Sequence, residues 1–230
     1  MRHLFLLAAL FCACISYAQI RVQERLPKSK TGFALTTAKT RAKIYYDVND
    51  ALVIKRSAEL FARDIQMVTG QKPELIPKRE RAKALVIVGT IEKNQWICEL
   101  AQKGKIDIRP LQGAWERYLI QTVDNPSPGV AKALVIAGSD RRGAAYGLFS
   151  ISEMMGVSPW YWWGDVPVKT HKALYVDAPP TYSKTPSVKY RGIFLNDEDW
   201  GLKPWAAKTF EKERGNIGPR TYAKICELLL

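Results

Sequence analysis

Histidine is nearly absent from this sequence, and its scarcity removes whole classes of chemistry. Of 230 residues only His3 and His171 are histidines. The first lies in an N-terminal leader and the second in an exposed Lys-Thr-His-Lys loop. A zinc hydrolase needs a cluster of imidazole, thiolate or carboxylate ligands, and a Ser-His-Asp enzyme needs a histidine beside its nucleophile, so neither is supported. Cysteine is scarce too: Cys12 and Cys14 fall in the leader, which leaves Cys98 and Cys226. Two thiols make no disulfide framework or metal cluster, and each reads as a small buried hydrophobe. No metal and no cofactor are expected. The glycine patterns of nucleotide-binding turns are missing as well. Gly138-Ser139-Asp140-Arg141-Arg142-Gly143 satisfies neither GxGxxG nor GxxxxGK[ST], and Asp140 would repel a phosphate at a helix start. Gly143 and Gly147, one turn apart, read instead as close helix-to-sheet packing.

Positive charge, by contrast, is plentiful, with a formal net charge of +13. Such an excess can attract nucleic acid. The basic residues are spread in short runs such as Lys28 to Lys30 and Lys78 to Arg81, mixed with Pro, Thr and Glu, and form no basic helix, finger or stacking module. No nucleic-acid partner is expected. A basic surface suits an anionic polymer bearing uronic acids, or is only a solvated face.

The N-terminus has the three parts of a secretory leader: basic Met1-Arg2-His3, apolar Leu4 to Ile15, and small residues at Ser16-Tyr17-Ala18. We expect a signal peptide over residues 1–18, cleaved after Ala18, and a secreted or periplasmic product. The apolar run is shorter than the about 20 residues of a membrane-spanning helix, so no stable membrane insertion is expected after cleavage. Phe11 before Cys12 is too bulky for a lipoprotein signal.

Residues 19–182 read as an α/β domain. Phe33-Ala34-Leu35 and Lys43 to Tyr46 form short strands, followed by a helix from about Ala51 to Thr69 with Asn49 or Asp50 at its start and Gly70 at its end. Val53, Leu60, Phe61, Ile65 and Val68 share its apolar face, and Glu59 lies four residues before Arg63 on the wet one. Ala84 to Gly89 is a buried strand, and Lys93 to about Lys103 a helix stopped by Gly104. Tyr118 to Val123 and Ala133 to Gly138 add two strands joined by a hairpin loop at Asn125 to Gly129. Asp140 caps a helix running to about Met155, with Gly156 at its C-terminus. Strands alternating with single helices, together with a hairpin pair, predict a mixed-sheet α/β sandwich with helices on one or both faces. From Lys169 to Ser187 proline, serine and threonine mark a linker, with a short edge strand at Tyr175-Val176 and Tyr182.

Two segments carry the functional signal. Ser158 to Pro167 holds three of the seven tryptophans, at Trp160, Trp162 and Trp163, beside Tyr161. Aromatic faces stack on the C–H faces of sugars, although the same run could plug a domain junction. Tyr190-Arg191-Gly192-Ile193-Phe194-Leu195 is an apolar, strand-like run that breaks into Asn196-Asp197-Glu198-Asp199-Trp200. Carboxylates just past the C-terminal end of a barrel strand face the active site and suit acid/base work on a glycosidic bond. The plainer reading is a solvated acidic loop capping the next helix.

These runs resemble the glycoside hydrolase family 115 xylan α-glucuronidases. The likeness is carried by Gly138-Ser139-Asp140-Arg141-Arg142-Gly143-Ala144-Ala145-Tyr146-Gly147, by Gly156 to Pro167, and by Tyr190 to Gly201. It implies an N-terminal α/β domain followed by a (β/α)8 catalytic barrel that removes α-1,2-linked glucuronic acid, or its 4-O-methyl ether, from glucuronoxylan with inversion. On that resemblance the expected catalytic carboxylates are Asp197 and, as runner-up, Glu198. Asn196, Trp162, Trp163 and Trp200 are expected to bind substrate. A whole barrel takes about 250 residues, so residues 183–230 are expected to be a linker and the first βα unit of a truncated barrel. A helix from Tyr222 to Leu230 opens that barrel's outer ring, Thr221 starts it, and the chain is expected to be an inactive fragment. Two other readings stay open: a non-catalytic carbohydrate-binding or structural module, and a family 67 or hexosaminidase-like glycosidase with the same N-terminal domain.

Overall fold

Three parallel apolar strands form the centre of the computed structural model, which describes residues 19–229. The expected leader, residues 1–18, lies outside the described residues. The chain begins with β1 (Arg21–Gln23), β2 (Gly32–Thr36) and β3 (Lys43–Tyr46), then turns into α1 (Leu52–Thr69). After β4 (Leu75–Ile76) and β5 (Ala82–Thr90) comes α2 (Gln95–Gln102), and then the hairpin of β6 (Tyr118–Ser127) and β7 (Val130–Gly138). Helix α3 (Arg141–Met154), β8 (Leu174–Asp177) and β9 (Thr181–Tyr182) complete the sandwich. Beyond it lie a one-turn helix α4 (Leu202–Trp205), which runs on as a π turn at Ala206–Phe210, and α5 (Pro219–Leu228).

The large sheet has the order β4-β3-β5-β7-β6-β9. Strands β4, β3, β5 and β7 run parallel, and β6 pairs antiparallel with β7 on one side and β9 on the other, so the sheet is mixed as expected. A second sheet, β1-β8-β2, is antiparallel throughout. Side chains alternate along a strand, and here the alternation feeds two cores. Val86, Val88, Leu134 and Ile136 meet α1, α3 and the small sheet on one face, whereas Leu85, Ile87, Val135 and Ala137 meet Trp96, Ile97 and Leu100 of α2 on the other. Helices therefore cover both faces, which is why β5 and β7 read as unbroken apolar runs. The close packing foreseen for α3 is present: a Cβ on Gly143 would lie 2.2 Å from the Arg117 carbonyl oxygen.

Several local expectations change. Neither Asn49 nor Asp50 caps α1; its N-cap is Ala51, and Asp50 instead accepts from the Thr90 N–H at 2.7 Å, tying the helix start to the end of β5. Glu59 pairs with Arg56 at 2.9 Å rather than with Arg63, because Arg63 is drawn to Asp64 and to Glu227 of α5. The hairpin strands continue past Val123 through a bulge between Asp124 and Ser127, leaving only Pro128 and Gly129 as the connection. Strand β8 is the centre of the small sheet, not an edge. His171 is not free: its Nδ1 lies 2.9 Å from a Glu24 carboxylate oxygen. Cys226 is exposed, and Cys98 is half-buried with its Sγ against the Ile91 carbonyl.

The apolar run from Tyr190 to Leu195 forms no strand. Phe194 is 95% exposed and Tyr190 86%. A strand needs a neighbour to take its N–H and C=O groups, and none of the described strands pairs with this one. After Trp200 the chain turns into α4 and the π turn.

Candidate active site

The acidic segment is held to the sandwich by an arginine. Arg191 donates to the carboxylate of Glu116, which also accepts from Arg142 of α3 at 2.8 Å. Glu116 is 5% exposed and sits at φ 54°, in the left-handed region that few side chains tolerate. Asp140 holds it there. One Asp140 oxygen takes the N–H groups of Arg142 and Gly143 at 2.9 Å as the cap of α3, and the other takes the Glu116 N–H at 2.7 Å. Burial pushes the Glu116 carboxyl up, yet its bonds to Arg191 and Arg142 outweigh burial and hold it below the usual range.

From that anchor the chain runs exposed to a tight turn. The Asn196 side-chain oxygen accepts from the Glu198 N–H at 3.3 Å, and its carbonyl accepts from the Leu202 N–H at 2.9 Å. A Cβ on Gly201 would stand 2.3 Å from that carbonyl, so only glycine permits the closure. The turn gathers Asp197, Glu198, Asp199 and Trp200 around a shallow depression of about 390 Å³, with Lys203 on its rim. Asp197 is half-buried and accepts from the Tyr222 hydroxyl of α5. That bond raises the Tyr222 pKa. Glu198 and Trp200 are exposed, and Asp199 pairs with Lys203 at 2.8 Å, which lowers its pKa.

Trp162 and Trp163 do not line this depression. They pack edge to face, with ring centres 4.7 Å apart, in a cluster with Trp205 and Phe210. The Trp163 Nε1–H donates to the Lys224 carbonyl at 3.2 Å, and Tyr161 donates to Glu227 at 2.9 Å. Helix α5 thus joins the aromatic run and the acidic turn, touching Asp197 through Tyr222 and Trp163 through Lys224.

Four residues central to this assembly carried no signal in the sequence. Glu116 is an isolated acid in a loop. Glu227 is half-buried beside Arg63, whose guanidinium lies across the junction on α1. Tyr222 is one tyrosine among ten. Glu211 takes the Gly218 N–H at 2.9 Å, the Thr221 N–H at 3.0 Å and the Thr221 hydroxyl at 2.6 Å, capping α5 from seven or more residues upstream. Burial raises its pKa, and these donors lower it further than burial raises it. Among the described residues no group of three or more His, Cys, Asp or Glu could hold a metal ion, and no helix is long and apolar enough to cross a membrane.

Residues 183–230, which contain the acidic turn, α4 and α5, match the model of glycosyl hydrolase family 115. The chain is also similar to the solved structure of a GH115 4-O-methyl-α-glucuronidase, BtGH115A, with specificity for decorated arabinogalactans. The TM-score is 0.69 and the identity 35% over 86% of this chain. This chain is similar to glycosyl hydrolase family 115. It spans 24% of that relative's length. Other solved structures are more distant. A GH20 β-N-acetylhexosaminidase from Streptomyces coelicolor A3(2) gives a TM-score of 0.45 at 11% identity, covering 85% of this chain and 31% of the other. CpGH84D gives 0.41 at 12%, covering 70% and 22%. A search of the curated proteins gives no match. The family 115 match spans both the sandwich and the segment that Arg191 fastens to it.

Proposed function

We propose that this chain is the N-terminal part of a secreted or periplasmic glycoside hydrolase that removes α-1,2-linked glucuronic acid, or its 4-O-methyl ether, from xylan with inversion. The observation that carries this reading is the 35% identity to a family 115 4-O-methyl-α-glucuronidase over 86% of the chain. In an inverting hydrolase a protonated carboxyl group assists the leaving oxygen while a carboxylate, about 6.5–9.5 Å away, activates water on the opposite face. Asp197 is the group we assign to the sugar site, because it is half-buried and oriented by Tyr222 while Glu198 is exposed. Its opposing carboxylate belongs to the part of the family fold beyond the matched quarter. The Asp197 depression is shallow and rimmed by exposed residues, whereas a sugar site encloses most of its ligand. The chain alone is therefore inactive.

The relative's specificity for decorated arabinogalactans favours a second reading, in which the same uronate is released from an arabinogalactan. One experiment separates the cases. The chain is assayed alone and as a chimera in which it replaces the corresponding N-terminal quarter of that relative, with release of 4-O-methylglucuronate measured by mass spectrometry from glucuronoxylan and from arabinogalactan. We expect release by the chimera only. Release by the isolated chain would overturn its inactivity, and a folded chimera inert on both polymers would overturn the assignment.

A further inference from the structure

At the end of the large sheet opposite the Arg191 anchor lies a basic groove of about 770 Å³, walled by the start of β5, the residues after α2 and the β6–β7 hairpin. Arg81 and Lys83 are two apart, so they leave the sheet on the same face as Leu85 and Ile87, the face that α2 covers. Lys103 and Lys105 follow α2 directly and complete a set of four cations. Pro126 and Pro128 stiffen the opposite wall.

The charge in this groove is not salt-bridged, and the Lys105 ammonium donates to the Asn125 carbonyl of its wall. None of the four cations lies within salt-bridge distance of a carboxylate among the described residues. The acids beside them in sequence are engaged by other cations: Glu80 by Lys43 at 2.8 Å, Glu99 by Arg79 at 2.8 Å, Asp107 by Arg109 at 2.7 Å and Asp124 by Lys132 at 3.1 Å. No acidic residue lines the groove. A cleft lined by charges of one sign attracts a chain of the opposite sign.

We infer that this groove binds the uronate carboxylates of an acidic polysaccharide, at a site remote from the Asp197 turn. The inference rests on the reading of this chain as part of a uronate-releasing hydrolase. No aromatic side chain lines the groove, so it lacks the stacking platforms on which single-stranded nucleic acid depends. The span from Val130 to Gly138 along β7 is about 26 Å at roughly 3.3 Å per residue. A ligand that reaches from the groove toward Arg191 must therefore be a polymer, and the groove acts as a polymer anchor rather than a subsite for one sugar.

The test is binding by the full chain, measured by affinity electrophoresis in three gels. One contains glucuronoxylan, one the same polymer with its carboxyl groups reduced to alcohols, and one a single-stranded oligodeoxynucleotide. A groove variant, Lys83→Gln with Lys103→Gln, is compared with a charge-matched control, Lys39→Gln with Lys72→Gln, whose cations are also exposed. Circular dichroism confirms that both are folded. We expect the groove variant to bind glucuronoxylan about five- to tenfold more weakly, the control to match the parent, and the reduced polymer not to bind. Equal weakening in both variants, retention by the reduced polymer, or tighter binding of the oligonucleotide would each overturn the proposal. Because binding is read without hydrolysis, an active chimera whose N-terminal part does not bind refutes the groove alone, and a binding chain in an inert chimera refutes the enzymatic reading alone.

Discussion

Arg191 and Glu116, 75 positions apart, form the ion pair that fastens the acidic segment to the sandwich. Glu116 is buried, but both arginines that reach it are partly exposed, so solvent screens the attraction. We expect Glu116→Gln to lower stability by about 1 kcal/mol at neutral pH. The sign with pH is fixed by the lowered folded pKa: the carboxylate's contribution is present above the ordinary glutamate range and is lost as pH falls through the folded value. Thermal melts of the parent and the variant should converge in acid. A gap that stays constant with pH would show that the charge is not what holds this contact.

Asp64 is the opposite case. It is buried on α1, where it accepts from Ser152 at 2.7 Å and from Arg63 at 3.1 Å, and burial pushes its carboxyl up despite both donors. A raised folded pKa means that the unfolded chain gives up this proton first, so the group costs stability as pH rises from the ordinary aspartate range through the folded value. Asp64→Asn keeps an acceptor for Ser152 and removes the charge. We expect it to match or exceed the parent at neutral pH, by up to about 1 kcal/mol. Asp64→Leu, which strands the Ser152 hydroxyl, should cost about 1–3 kcal/mol. Urea titration of the three proteins decides the order, and a less stable asparagine variant would mean that the Arg63 contact outweighs burial.

The parts of the fold that were legible in the sequence are those whose determinants are local. Ala84 to Gly89 and Ala133 to Gly138 read as strands because their apolar runs are continuous, and Gly70 (φ 71°) and Gly156 (φ 90°) mark helix ends because an L side chain avoids that backbone. Asp140 read as a cap because its two donors lie two and three residues away. What was illegible depends on contacts across long separations. The partner of Arg63 is Glu227, 164 positions on, so the nearer Glu59 looked like the obvious choice. Tyr190 to Leu195 has a strand's composition, but pairing is a property of two segments. The acidic turn read as a carboxylate cluster, while the residues that orient it, Tyr222 and Glu116, come from elements whose own patterns point only to helix and loop.

The tryptophans should separate by role. Trp162 packs against Trp163, Trp205 and Phe210, so Trp162→Ala should cost about 2–3 kcal/mol, somewhat below the loss for a fully buried ring. It should also loosen α4 and α5, seen as faster hydrogen exchange from Leu202 to Leu228. Trp200 is 82% exposed, and Trp200→Ala should leave the melting temperature unchanged. If both variants melt alike, the aromatic cluster does not dock the C-terminal helices on the sandwich.

Carboxylate identity is the final question, and it is best asked in the chimera that carries a complete family 115 fold. Asp197 is half-buried and held by the Tyr222 hydroxyl, whereas Asp199 is exposed and occupied by Lys203. A general acid or base contributes about 10²–10⁴-fold to turnover, and a solvated ion pair on the surface contributes little to anything. Asp197→Ala should therefore lower kcat by at least about a hundredfold, and Asp199→Ala should leave it within about twofold of the parent. Tyr222→Phe tests positioning separately. It removes the hydroxyl that orients Asp197 without touching the carboxylate, so kcat should fall less than in Asp197→Ala and the pH profile should shift. Comparable losses in Asp197→Ala and Asp199→Ala, with both proteins folded, would place the catalytic carboxylate elsewhere. An unshifted profile in Tyr222→Phe would leave that tyrosine a purely structural tie between α5 and the turn.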